Sequence, residues 1–187
     1  MRTLILLATL GAVAGSLAAQ EPPDSAQVAQ AALLAELATP GPEHRRLAGL
    51  EGAWDVEVRI PSAGTSAPGR ATNRMILGGR FLTTRVTATI GGVATESLTI
   101  IGFDRGPGVY TAVGFDTFGT FYVTAAGPWD AERNRVVMRG AYDDPVTGHQ
   151  HDYEFLLTFD SPDHFTWTVV FLEGGQRMPV AEVDYRR

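Results

Sequence analysis

The histidines and carboxylates decide what chemistry this chain could carry. His149 and His151 stand two apart, and on a strand that spacing sends both side chains to one side. Asp143 is the conceivable third donor. A zinc site takes at least three protein ligands, so a solvated strand end is the plainer reading and no metal is assigned. His164 follows Asp163 in a turn-like stretch; there it is expected to be exposed, and a lone imidazole makes a thin axial site for haem. His44 falls in a short helical turn and reads as a structural hydrogen-bonding residue.

Among the acids, Asp143-Asp144 precede Pro145 and read as a solvated turn. Asp152 and Glu154 lie opposite Tyr153, Phe155, Leu157 and Phe159, which places both in water, where carboxylates make poor general acids. Glu96 is the exception. It shares a face with Ala94, Leu98 and Ile100; if that face turns inward, Arg85, Arg139 or a tyrosine must satisfy the carboxyl. An inward Glu96 is the one route to a hydrolase or isomerase. There is no cysteine, no Gly-x-Ser-x-Gly elbow, and Gly106-Pro107-Gly108 lacks the lysine and helix of a phosphate loop. No catalytic residue and no cofactor is assigned, and the balance is against an enzyme.

Aromatic residues carry more information. Met138, Tyr142, Tyr153, Phe155, Phe165 and Trp167 fall on apolar faces of consecutive late segments. If those faces turn inward, Glu96, Met138, Tyr142, Tyr153, Phe155 and Trp167 line a lumen able to hold one small ligand. The same rings could instead pack on each other as a filled core, because pattern fixes the face and not the void.

The elements that must position these residues are strands. From Trp54 onward the hydropathy period is two: Trp54, Val56, Val58 and Ile60 alternate with Asp55, Glu57 and Arg59. Further strands read at 70–77, 80–90, 93–104, 109–116, 121–127, 135–143, 151–159, 165–172 and 178–186. Tight glycine-, proline- and aspartate-containing turns separate them. Pro61 to Pro68 reads as the one long loop. Roughly ten sequential strands without a crossover helix form a meander, and a meander this long closes to protect its edges. The expected fold is therefore all-β: an antiparallel up-and-down barrel of about eight to ten strands.

Ahead of the barrel, residues 1–18 read as a signal peptide: Arg2, an apolar run from Leu4 to Val13, and cleavage after Ala18. Residues 19–42 form a linker with a marginal helix over Ala26–Leu37, its apolar side carrying Val28, Ala32, Leu33 and Leu37. Pro40-Gly41-Pro42 stops it. The barrel domain spans 43–187 and opens with a helical turn over Glu43–Leu50.

Gly52-Ala53-Trp54 at the start of the first strand resembles the signature of calycin barrels. The resemblance implies that Trp54 plugs the closed end and that a final-strand arginine, Arg186 or Arg187, stacks on its ring; cation–π attraction supports that pairing. Pro42-Glu43-His44, Gly78-Gly79-Arg80-Phe81-Leu82, Ile101-Gly102-Phe103-Asp104, Asp116 to Thr120, Gly127 with Asp130, Asp144-Pro145 with Thr147-Gly148, and Glu182 to Arg187 follow in order. Together they resemble bacterial domain-of-unknown-function family 1579 over about residues 40 to 187. That family implies a calycin-like, lipocalin-like fold and transfers no catalytic residue.

Charge narrows the partners. The net charge is −6, every base is arginine, and the arginines are scattered. Such an acidic chain repels nucleic acid and anionic lipid, and after cleavage no stretch is long enough to span a membrane. The expectation is a periplasmic or secreted, non-catalytic barrel binding a small apolar or amphipathic molecule in its lumen. The alternative is a structural or protein-interaction module with a filled core; a haem-binding barrel stands behind both.

Overall fold

A computed structural model describes residues 24–144 and 146–187. The expected signal peptide and its cleavage after Ala18 lie outside the described residues. Helix α1 covers Ser25–Leu37 and none of its side chains is buried. Asp24 caps it: the Gln27 N–H donates to Asp24 Oδ1 at 2.7 Å and the Asp24 N–H to Gln27 Oε1 at 3.3 Å, a reciprocal box that satisfies two orphan donors. The helix is one turn-residue longer than expected and stops ahead of Pro40. Among the described residues no helix is long and apolar enough to cross a membrane.

In the unit from Leu37 onward, helix α2 (Pro42–Ala48) precedes eleven strands. These are β1 (Gly52–Ile60), β2 (Thr65–Ile76), β3 (Phe81–Ile90), β4 (Val93–Asp104), β5 (Val109–Asp116), β6 (Val123–Gly127), β7 (Trp129–Asp130), β8 (Arg135–Asp143), β9 (Gln150–Ser161), β10 (His164–Glu173) and β11 (Gln176–Arg186). Each pairs antiparallel with its sequence neighbour, and β1 pairs with β11. Two-residue β7 attaches to β8 alone, while β6 meets β8 directly through Ala126 and Arg139. The result is a closed antiparallel barrel of ten strands, as the alternation predicted.

The expected long loop at Pro61 to Pro68 is a correction. A single 3-10 turn, Pro61–Ala63, suffices, and Gly64 in the left-handed region (φ 57°) returns the chain into β2 at Thr65. Pro68 tolerates a strand because residues 65–68 pair with β1 only, β3 joining at Gly69; a residue without an N–H is acceptable at such an edge.

The β6–β8 seam has the sparsest pairing and is stitched by other means. Tyr153 donates its hydroxyl to the Thr124 carbonyl at 2.6 Å, and the Val137 N–H donates to Pro128 O at 3.1 Å. Gly127 and Gly140 face this seam, where a Cβ on either would overlap backbone oxygen of the opposing strand.

The end beside α2 is packed solid. Leu47, Leu82, Val136, Met138 and Leu157 are fully buried there. Trp54 sits edge-on to Phe165 at 4.8 Å, and its indole N–H donates to Leu50 O at 2.9 Å, an oxygen that also accepts Asn73 Nδ2. α2 adds Arg46, which donates to the Tyr110 hydroxyl at 2.6 Å and lies 3.9 Å over the Trp129 ring.

The closing arginine is Arg187, not Arg186. Arg187 covers Trp54, whereas Arg186 faces outward and pairs with Asp184 at 2.7 Å. Strand alternation explains the choice: Tyr185 points inward, so Arg186 points out, and the residue after it returns to the Trp54 side. Gly52, with φ 126°, lets the chain enter β1 beneath that guanidinium, 3.6 Å from where a Cβ would sit. Only glycine adopts this backbone without strain.

Glu154 is a second correction. It does lie on the outer face, yet it is 1% exposed, held by Arg139 Nε at 2.9 Å and Arg177 Nη1 at 2.5 Å. The arginine stems roof it, with the guanidinium heads in water.

Candidate functional site

The barrel is filled at the Trp54 end and hollow at the other. A cavity of about 340 Å³ lies among the far ends of the strands, a size at the small end for ligand pockets. Its wall is mostly apolar. Val58, Ile60, Val86 and Ile90 come from β1 and β3, Phe155, Trp167 and Phe171 from β9 and β10. Each occupies the inward register that begins at a buried residue nearer the plug, such as Trp54 on β1 or Leu82 on β3.

Of the predicted lumen residues, Tyr142, Tyr153, Phe155 and Trp167 line this cavity. Tyr153 and Phe155 lie 5.0 Å apart, and Phe155 and Trp167 also 5.0 Å, forming a continuous aromatic wall. Met138 does not line it; it is completely buried in the packed half below. Glu96 is not an interior carboxylate. On β4 the inward residues are Thr95, Ser97, Thr99 and Ile101, so Glu96 turns out and ion-pairs with Arg85, touching the cavity only at its rim. Phe165 belongs to the plug, stacked on Tyr185 at 4.0 Å.

The phenols are held protonated. Burial raises Tyr185 far above the ordinary range, and raises Tyr153, whose bond to Thr124 O opposes the shift. Tyr142 is raised first by burial and then by the charges of Asp144 and Glu173. The Tyr153 hydroxyl is spent on the seam. Thr95, Ser97, Thr99, Tyr142 and Tyr185 are the other hydroxyl-bearing wall residues. Such a lining offers packing surface and a few hydrogen bonds.

The histidines go elsewhere. His151 Nδ1 lies 2.7 Å from Glu173 and its Nε2 3.9 Å from Asp144, with the ring stacked on Tyr142 at 5.3 Å. His149 is exposed, and among the described residues no three His, Cys, Asp or Glu side chains group to hold a metal ion. His164, expected in an exposed turn, opens β10 half-buried between Asp184 at 3.2 Å and Asp160 at 3.7 Å. It sits on the outer face beside Phe165, which points inward, so it does not reach the lumen. His44 is structural as expected: its Nδ1 accepts the Gly41 N–H at 3.0 Å at the start of α2.

Sequence reasoning missed the segment joining β5 to β6. Phe118 and Phe121 border the cavity mouth, and Phe121 stacks parallel to Tyr142 at 6.3 Å. Phe118 is 69% exposed and neighbouring Tyr122 64%. The signal was present as four aromatic residues within 115–122, but the Phe118-Gly119 turn masked it.

The family model described as "Protein of unknown function (DUF1579)" matches residues 39–187. The chain belongs to that family. The matched DUF1579 region takes in α2 and the whole barrel, including plug, cavity and mouth, and begins after α1. A search of curated proteins finds none that matches. Among solved structures, one titled "Structure of a redesigned beta barrel, b11L5F_LGL" aligns with a TM-score of 0.40 at 16% identity, covering 76% of this chain and 95% of that one.

Proposed function

We propose that this DUF1579 member is an exported, non-catalytic barrel that binds one small apolar or amphipathic molecule in the cavity opposite Trp54. The observation that carries this reading is the hollow itself: about 340 Å³ walled by Tyr142, Phe155, Trp167, Phe171 and the aliphatic residues facing them. Well-packed interiors leave few voids larger than a water molecule, so an apolar space of this size supports a binding role. The N-terminal Arg2 and its apolar run support export.

Native mass spectrometry of protein made from the full sequence in an exporting host tests both parts. The expected result is a chain beginning at Ala19 that carries extra mass, which disappears in Val169→Phe, where the larger ring fills the cavity. A chain retaining Met1 overturns export. A ligand-free chain that also fails to take up decanol overturns the binding reading. The exposed Phe118 and Tyr122 favour the second reading, a protein-interaction module; a stable complex that survives Val169→Phe would select it.

A further inference from the structure

On three strands the inward register leads to an acid at the end of the barrel away from Trp54. On β5 the inward register runs Tyr110, Ala112, Gly114, Asp116. On β8 it runs Val136, Met138, Gly140, Tyr142, and the next step along it is Asp144. On β10 it runs Phe165, Trp167, Val169, Phe171, Glu173. Asp116 lines the cavity itself, and Asp144 and Glu173 flank His151, whose ring stacks on the wall residue Tyr142.

Among the described residues no arginine pairs with Asp116, Asp144 or Glu173. At this end of the barrel Arg59 pairs with Glu182, Arg85 with Glu96 and Arg177 with Glu154, all on the outer face. The basic side chain beside these acids is His151, held between Glu173 and Asp144. Two carboxylates have a further neighbour in the backbone: Asp116 Oδ1 accepts the Phe118 N–H at 2.8 Å, and Asp144 Oδ1 accepts those of Val146 and Thr147. Hydrogen bonding to the ionised form keeps Asp144 well below the ordinary carboxylate range. Burial is the main reason the Tyr142 phenol is raised, and the charges of Asp144 and Glu173 add to the rise. Phe118, Phe121 and Tyr142 line the cavity, with Phe121 stacked parallel to Tyr142.

Resting on the cavity reading above, we infer that the ligand is a cationic amphiphile: an apolar body seated among Phe155, Trp167 and Phe171, with an amine or quaternary ammonium head at Asp116, Asp144 and Glu173. Attraction to ionised carboxylates and to aromatic faces acts on the same head group. An anionic head of equal tail would meet repulsion at the mouth.

Titration calorimetry with three probes sharing one tail separates head from cavity: decyltrimethylammonium, decanol and decyl sulfate, each below its micelle concentration. The expected order is ammonium, then decanol, then sulfate, with roughly tenfold between the first two at low salt and a smaller ratio at high salt. The double variant Asp116→Asn with Glu173→Gln is expected to lose most of the preference for ammonium over decanol. Equal binding of all three probes, a preference for sulfate, or an ammonium preference untouched by the double variant overturns this inference and leaves the cavity reading standing. Failure of all three to bind overturns both.

Discussion

Arg187 lies over the face of Trp54, its guanidinium carbon 4.3 Å from the ring centroid, with Nη1 donating to Glu51 O at 3.1 Å and Nη2 to Pro162 O at 2.9 Å. One terminal side chain therefore ties the entry to β1, the β9–β10 turn and the plug. Arg187→Ala is expected to lower unfolding stability by about 1–2 kcal/mol, from lost cation–π contact and lost stem packing. Lysine recovers little of this, because it lacks the planar fork. Arg186→Ala, whose side chain is 66% exposed, is expected to cost less. Urea midpoints of the three variants rank them.

Gly140 tests the seam. A methyl there overlaps the Thr124 carbonyl and sits 2.5 Å from the Tyr153 hydroxyl, so it displaces the bond that joins β9 to β6. Gly140→Ala is expected to destabilise by about 1–3 kcal/mol, the usual range for overpacking. Hydrogen exchange should quicken first at Val123–Gly127. Protection there equal to the parent protein would remove the seam argument.

Glu154 and its arginines predict an asymmetry. Glu154→Gln leaves Arg139 and Arg177 free to hydrate, since their side chains are 74% and 50% exposed. Replacing both arginines by methionine keeps the apolar roof but strands a buried carboxylate, and breaking a buried pair this way costs up to ~3–5 kcal/mol. The double variant is thus expected to be the less stable. Chemical denaturation compares the two.

His44 gives the chain a stability loss in mild acid. Burial, opposed by Glu43 and reinforced by Arg105 and Arg80, lowers its pKa in the folded state. The unfolded chain then binds the proton more readily, so stability present above about pH 6.5 declines as pH falls below that value and through the folded pKa. His44→Asn keeps an acceptor for the Gly41 N–H and is expected to flatten the curve in that window. Thermal melts from neutral to mildly acidic pH read the difference.

Much of the architecture was legible because strand alternation is local. β4, β5 and β8 fall on the ranges read from the period-two pattern, and Tyr142, Tyr153, Phe155 and Trp167 face inward as their apolar faces implied. Glu96 was misread because β4 offers two faces of similar polarity. Leu98 and Ile100 look more apolar than Ser97 and Thr99, yet pairing of Ile101 with Leu82 turns the hydroxyl face inward. Neighbouring strands decide such a case. Glu154 misled for a related reason: Arg177 on β11 reaches it across β10, and residues so far apart in the chain leave no shared periodicity.

By itself the chain's order of residues determined the all-β meander, the turns that separate its strands, and the Gly52–Trp54 entry to the plug. These follow from steric preference and from alternation every second residue, which neighbours along the chain suffice to specify. Tertiary structure alone decided that Arg187 covers Trp54, that Met138 fills the packed half, and that His151 stands between Asp144 and Glu173. Curvature and closure bring strands together that are far apart in sequence, and a void is whatever volume their side chains together fail to fill.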